Sequence, residues 1–325
     1  MGEPLVIEFA NMELMKRTIS FFILSWALFS CWGATTPTFA QPLRPEALPV
    51  DADNVGTAAA KTYAFEKFGG LEYRTGENFR LTLDVYVPEG VGPHPAILAV
   101  HGGAWRSGSK LHWFRHARKL AKAGFVVVAI NYRKAPKFPF PAQVYDCKAA
   151  IRWMRKHAEK YKIDPDQMGA IGYSAGGHLV ALLAATDAED GLEGEMIPAD
   201  EKDISTRIQA VAPGGAVCNF TWLDEQSNAL AYLMGGSRAE VPELYQRASP
   251  TTYVSPDDPP FYFFHGGKDW VVPEASPKAM HELLKKQGLA SEFAIYEDHG
   301  HVGLFSHLEA MDPVIDFFNK TLKRK

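Results

Sequence analysis

Ser174 stands at the centre of Gly172-Tyr173-Ser174-Ala175-Gly176, a Gly-x-Ser-x-Gly pattern. The apolar stretch 168–171 ends just before it, and a run of small and apolar residues, 175–185, begins just after it. This order predicts a strand, a sharp turn and a helix, with the serine at the apex. Such a turn forces the serine into a strained backbone conformation. Glycines two before and two after it remove the side chains that would clash there. The hydroxyl would stand at a helix N-terminus, whose dipole favours developing negative charge. Attack on a carbonyl is the chemistry this suits. A serine is a weak nucleophile, so it needs a base, a group that orients the base, and donors for the oxyanion.

Residues able to fill these roles follow strands, in the chain order serine, acid, histidine. Asp269 lies in His265-Gly266-Gly267-Lys268-Asp269, just past an apolar stretch, where a carboxylate could point into a cleft. Asp257 and Asp258 precede that stretch, at the wrong end, and Asp269 could also be an ordinary turn residue. His301 follows Gly300 in a loop after the last strand, and His299 competes with it for the role of base. Glu297 and Asp298 are alternative acids. His178, one helical turn after Ser174, reads as a packing residue near the elbow. In His101-Gly102-Gly103-Ala104, the glycines would let backbone N–H groups approach a substrate carbonyl, together with the N–H of Ala175. His101 reads as a brace for that loop. Trp105, Trp222 and Trp270 could line a cleft, since aromatic faces suit sugar rings and phenolic acids; each could equally be core.

The elements that must position these residues alternate strand and helix. Strands are expected at 63–68, 81–87, 96–100, 125–130, 168–171, 208–212, 260–264 and 292–296. Helices are expected at 113–123, 143–161, 175–185, 274–287 and 312–322. Leu81, Leu83, Val85 and Val87 alternate with polar residues, which predicts a half-buried antiparallel strand. The continuous apolar runs predict central parallel strands. The fold class is therefore α/β: a mostly parallel sheet of about eight strands with helices on both faces. Residues 214–255 read as an insertion or long loops over one end of the sheet. The remainder of 61–325 makes a single domain.

The chain has 325 residues, 46% of them hydrophobic, and a formal charge of −4, with no basic run to suggest nucleic acid. Cys31, Cys147 and Cys218 make no disulfide framework. Cys147 falls on the apolar face of a helix. Lys16 and Arg17, the apolar run 19–32 and Thr38-Phe39-Ala40 together read as a secretory signal with cleavage after Ala40. The mature protein would then carry no transmembrane span. Leu28-Phe29-Ser30-Cys31 also resembles a lipoprotein signal that would lipidate Cys31. Residues 41–60, rich in Pro, Ala and Asp, read as a loose lead-in.

HGGAW at 101–105, NYRKAPKFPFPAQVYDCKAAIRW at 131–153, IDPDQMGAIGYSAGGHLVALLA at 163–184 and PPFYFFHGGKDWVVP at 259–273 resemble α/β-hydrolases of the esterase and lipase group. The likeness is strongest to secreted bacterial carbohydrate esterases of the acetyl xylan and feruloyl type. The resemblance implies Ser174, Asp269 and His301 as a triad, with Gly103, Ala104 and Ala175 at the oxyanion. It also implies a serine carboxylesterase acting on short acyl esters, acetyl or feruloyl, of plant polysaccharide, with no metal or organic cofactor. Two features depart from the pattern of the wider group. His299 duplicates the base. Ala104 stands where the hormone-sensitive-lipase group has glycine, and the short lead-in leaves no room for that group's helical cap. A lipase-like or general carboxylesterase, a formamidase or peptidase, and a non-catalytic binding protein are the rival expectations.

Overall fold

The structure, a computed structural model, describes residues 62–323. The signal-peptide, cleavage-site, Cys31 and lead-in expectations fall outside the described residues. Val100 and Ile130 end the two most apolar strands, β3 (His94–Val100) and β4 (Val126–Ile130). With them run β1 (Phe65–Gly76), β2 (Phe79–Pro88), β5 (Ile163–Tyr173), β6 (Ala210–Gly214), β7 (Phe261–Gly266) and β8 (Ser291–Tyr296). They form one eight-stranded sheet in the order β1-β2-β4-β3-β5-β6-β7-β8. β1 pairs antiparallel with β2, and β2 antiparallel with β4; every other pairing is parallel.

Alternate side chains of the central strands enter two cores, one on each face. Leu98, Val100, Val128 and Ile130 join the core beneath α2 (Ala142–Lys156), α3 (Ala175–Ala185) and α6 (Ala275–Lys286). Ile97, Ala99, Val127 and Ala129 join the one beneath α1 (Phe114–Lys122) and α8 (Met311–Leu322). Both faces of these strands are covered, so their sequence is apolar throughout rather than alternating. Three short helices complete the set: α4 (Ala231–Met234) and α5 (Pro242–Arg247) in the 214–255 region, and α7 (His301–Ser306). Among the described residues, no helix is long and apolar enough to cross a membrane.

Several boundaries differ from the sequence reading, each for a physical reason. β1 runs on to Gly76 because Gly69 and Gly70 form a bulge rather than a stop. The register shifts between Phe68 and Leu71, and Gly70 takes φ 71°. β2 is not half-buried: Asp84 and Tyr86 are 4% and 2% exposed, because α1 covers that face. The Asp84 carboxylate is neutralised there by Lys67, at 2.9 Å, and by Lys110. β5 starts at Ile163, five residues early, since its polar first half pairs only at His94 before a register shift. α2 stops at Lys156 rather than 161; the turns that follow end at Lys162, whose φ of 53° swings the chain into β5. His301, expected in a loop, is the first residue of α7.

Candidate active site

β5 ends at Tyr173 and α3 begins at Ala175, so Ser174 is the whole of the turn. Its backbone is held at φ 58° and ψ −122°, a conformation L-residues rarely adopt. A Cβ at position 172 would come within 2.1 Å of Gly176 O, and one at 176 within 2.0 Å of Val100 O. Only glycine fits either place. The N–H of Ser174 donates to Gly214 O at 2.8 Å, which ties the turn to β6. The N–H of Ala175 opens α3 and so has no acceptor within the helix.

Asp269 and His301 meet at the ends of β7 and β8. His301 Nδ1 lies 2.6 Å from Asp269 Oδ2, while Asp269 Oδ1 accepts from the N–H groups of Val271 and Val272, both at 2.9 Å. The Asp269 side chain is wholly inaccessible to solvent. Burial pushes its carboxyl pKa up, but the hydrogen bond and charge of His301 and the Val272 N–H outweigh this. The net position is below the ordinary value. The carboxylate thus stays ionised and fixes the His301 tautomer with the proton on Nδ1, leaving Nε2 free to accept one. Tyr173 OH donates to His301 O at 2.7 Å, tying the start of α7 to the end of β5. A Cβ at Gly215 would lie 3.1 Å from His301 Cε1, and Gly214 O holds Ser174. The Gly214–Gly215 backbone therefore lies close to both Ser174 and His301.

His299 is turned elsewhere. Its ring lies tilted against that of His307, with the centroids 4.5 Å apart, and its carbonyl accepts from Lys268 N at 3.0 Å. Asp298 pairs with Lys268 and Asp257 with Arg207. Asp258 bonds Ser255.

The loop after β3 passes beside the elbow: a Cβ on Gly102 would meet Tyr173 O at 2.8 Å and Ser174 Cβ at 3.2 Å. Gly103, Ala104 and Trp105 all take positive φ, at 118°, 49° and 58°. For alanine and tryptophan this is strain that the surroundings must hold. Ser107 N and Oγ close the loop onto Gly103 O, each at 2.9 Å. Tyr232 OH donates to Ala104 O at 2.9 Å, and Ala135 N to Trp105 O at 3.0 Å. His101 braces the loop from behind. Its ring stacks on Tyr132 at 4.3 Å and its Nδ1 donates to Gly102 O at 2.7 Å.

Trp105 does not line an open cleft, as the sequence reading allowed. It is 5% exposed, and its indole N–H donates to His178 Nδ1 at 3.0 Å. His178 Nε2 in turn donates to Ala248 O at 2.7 Å. Burial lowers the His178 pKa to about 4, so the ring is neutral and can accept the indole proton. His178 thus bridges the elbow helix, the strained loop and the 214–255 region. Sequence reading saw only a packing residue there; the signal available was a histidine one turn after the serine on an otherwise apolar helix. Trp222 and Trp270 are 46% and 58% exposed.

The bridge carries a prediction. Trp105→Phe should lower kcat by roughly ten- to a hundredfold with little change in KM, because loop donors displaced by an ångström lose their aim. His178→Asn, which keeps an acceptor near the Nδ1 position, should lose less than His178→Phe. Turnover per active site titrated with a fluorophosphonate is the measurement. Unchanged turnover in both Trp105→Phe and His178→Phe would show the bridge to be packing alone.

Buried histidines also set acid stability. Burial lowers the pKa of His178 and His116 from 6.5 to about 4, and that of His101 to about 3. The unfolded chain therefore binds more protons than the folded one between about 4 and 6.5, and stability present above that window is lost as pH falls through it. Going from pH 7 to 5 should cost on the order of 2 to 5 kcal/mol in all. Thermal melts across that range should show a falling Tm; a constant or rising Tm would contradict the assignment.

The sheet order, the strand–serine–helix elbow and the carboxylate–imidazole pair define an α/β-hydrolase fold. The chain belongs to the BD-FAE family, whose model matches residues 83–284. It is 33% identical over 203 residues to the esterase LipQ of Mycobacterium tuberculosis, covering 61% of this chain and 47% of that one. It is 28% identical over 255 residues to a probable isoprenylcysteine α-carbonyl methylesterase, ICMEL1, of Arabidopsis thaliana, covering 75% and 53%. The chain thus spans about half the length of these curated relatives. Among solved structures, a truncated carbohydrate esterase from gut microbiota superposes with a TM-score of 0.69 at 28% identity, over 81% of this chain and 98% of that one. The butyrate-bound esterase Est2 of Thermogutta terrifontis gives 0.65 at 26%, over 79% and 97%.

Proposed function

We propose that this protein is a serine carboxylesterase that cleaves short acyl esters, acetyl above all, from a carbohydrate alcohol, with feruloyl esters as a second substrate class. The observation that carries the mechanism is the short His301–Asp269 hydrogen bond beside a serine in strained turn geometry. Ser174 Oγ attacks the ester carbonyl while His301 Nε2 takes its proton. The N–H of Ala175, with Gly103 and Ala104 of the loop, receives the oxyanion. His301 then gives the proton to the leaving alcohol, and water, activated by the same imidazole, hydrolyses the acyl-enzyme. Buried Asp269 stabilises the imidazolium that forms at each step. The named carbohydrate-esterase neighbour and the exposed Trp222 and Trp270 support the carbohydrate alcohol. The basic, apolar and small-residue order of 16–40 supports export to the periplasm or beyond.

Specificity is tested by kcat/KM across p-nitrophenyl esters from acetyl to palmitoyl, followed by acetate release from acetylated xylan and ferulate release from feruloylated arabinoxylan. The expected result is an optimum at acetyl, with acetate released from the polymer. An optimum at long chains with no acetate released would replace the carbohydrate reading with a lipase-like esterase.

A further inference from the structure

A cleft of about 690 Å³ opens beside the oxyanion loop, between the first residues of β2 and the segment that follows β4. Phe79, Arg80, Ser109, Lys134, Lys137 and Phe138 line it, and among the described residues no Asp or Glu does. The cleft belongs to the same edge of the sheet as the elbow. Its 131–138 wall leaves the carboxyl end of β4, and Ser174 leaves the carboxyl end of β5, with β3 between them. The carboxyl ends of β4 and β5 are two strand spacings, about 10 Å, apart, and the wall runs on from β4 toward the start of β2, on the side away from the elbow, where a glycan extending beyond the sugar esterified at Ser174 would pass.

The cations of this wall are not equivalent. Arg133 is consumed by the buried Asp146, which it contacts at 3.0 Å, and Arg80 pairs with Glu72. Lys134 and Lys137 instead rest on backbone carbonyls, Lys134 on Gly108 O and Lys137 on Asn78 O at 3.1 Å. Among the described residues neither ammonium has a carboxylate partner. An ammonium carries three donors, so each lysine keeps donors to offer. Lys134 is half-buried, and burial lowers its pKa from the ordinary value. A desolvated charge with no counter-ion is unfavourable, and an anion entering the cleft would relieve it. The rings of Phe79 and Phe138, 5.6 Å apart edge to face, give the cleft an apolar wall beside the two amines.

We propose that this cleft is an accessory subsite for a uronic acid unit of the carbohydrate substrate, its carboxylate held between Lys134 and Lys137 and its ring against Phe79 and Phe138. The proposal rests on the carbohydrate-ester reading and names the class of glycan it favours: acidic rather than neutral. It also joins the subsite to the reaction centre. Gly108, whose carbonyl holds Lys134, packs so tightly on the loop that a Cβ there would lie 2.4 Å from Gly102 O. A carboxylate that draws on Lys134 therefore acts on the residues that aim the oxyanion donors.

The test is calorimetric, on the full chain carrying Ser174→Ala so that no ester turns over. The probes are a xylo-oligosaccharide bearing one glucuronic acid and a neutral one of equal length. The acidic oligosaccharide should bind about tenfold more tightly at low salt, as for a hydrogen bond to a charged group, and salt should erode the difference. Adding Lys134→Gln and Lys137→Gln should bring the ratio close to one, and the neutral probe in the same variant corrects for any general loss of fold. Equal binding of the two probes, or a preference that survives both substitutions, would overturn the subsite. Acetate release by the wild-type chain from the acetylated neutral oligosaccharide separates the two readings. No acetate with an intact lysine-dependent preference removes the carbohydrate-esterase assignment and keeps the cleft. Acetate released without the preference does the reverse.

Discussion

Ser174→Ala should lower kcat by about four orders of magnitude or more while leaving the fold intact. The substitution removes one oxygen from a half-buried side chain at the apex of the turn and leaves its Cβ in place. The backbone at 174 keeps its positive φ because Gly172, Gly176 and the bond to Gly214 O hold it there. Stability should therefore hardly change, and the loss should fall in kcat rather than KM, since the serine acts on the substrate only as bonds form. The activity that remains would come from the oxyanion donors and binding alone. Steady-state kinetics on p-nitrophenyl acetate, with a melt to confirm folding, is sufficient. Near-wild-type kcat in a folded variant would end the serine-hydrolase mechanism and move the nucleophile away from Ser174.

His301→Ala should be nearly as damaging, because serine and histidine act as a unit and the loss of either removes most of what both supply. The double variant should then be little worse than either single one. His299→Ala should fall within a few-fold of wild type. The two residues are only two positions apart, His299 just before α7 and His301 at its start, yet only His301 reaches Asp269, at 2.6 Å, while the His299 ring lies tilted against His307. Asp269→Asn should be intermediate to severe: an amide in place of the carboxylate can present its N–H₂ to Nδ1 and reverse the tautomer, so that Nε2 carries a proton and cannot act as base. The base would move to His299 if the ranking of the two histidine variants were inverted.

The residues themselves determined the elbow. Its strand, turn and helix are adjacent in the chain, and the turn's geometry demands glycine at 172 and 176 whatever lies around it. The same holds for the buried strands: a run such as Ala96–Val100 can be apolar on both faces only in a sheet covered twice, so parallel architecture was legible from composition and order. Serine, acid and histidine were legible as types placed after strands. Chain order and the family resemblance also pointed to Asp269 and His301, but the residue types alone left other acids and His299 in contention. Glu297, Asp298 and Asp269, and His299 and His301, differ in the sequence by little more than position. What only the tertiary structure shows is the pairing itself, across 32 residues of chain from the Asp269 carboxylate to His301, and across 128 residues from Tyr173 OH to the His301 carbonyl. The direction of Trp105 was also decided in three dimensions, by an acceptor 73 residues away on His178. So was the burial of Asp84 and Tyr86 on a strand whose alternation promised a wet face, because whether a second layer covers a sheet depends on a helix packed from elsewhere in the chain. Local backbone geometry is set by nearest neighbours and can be read from them. The partner of a side chain is set by long-range packing, and a list of residues does not contain it.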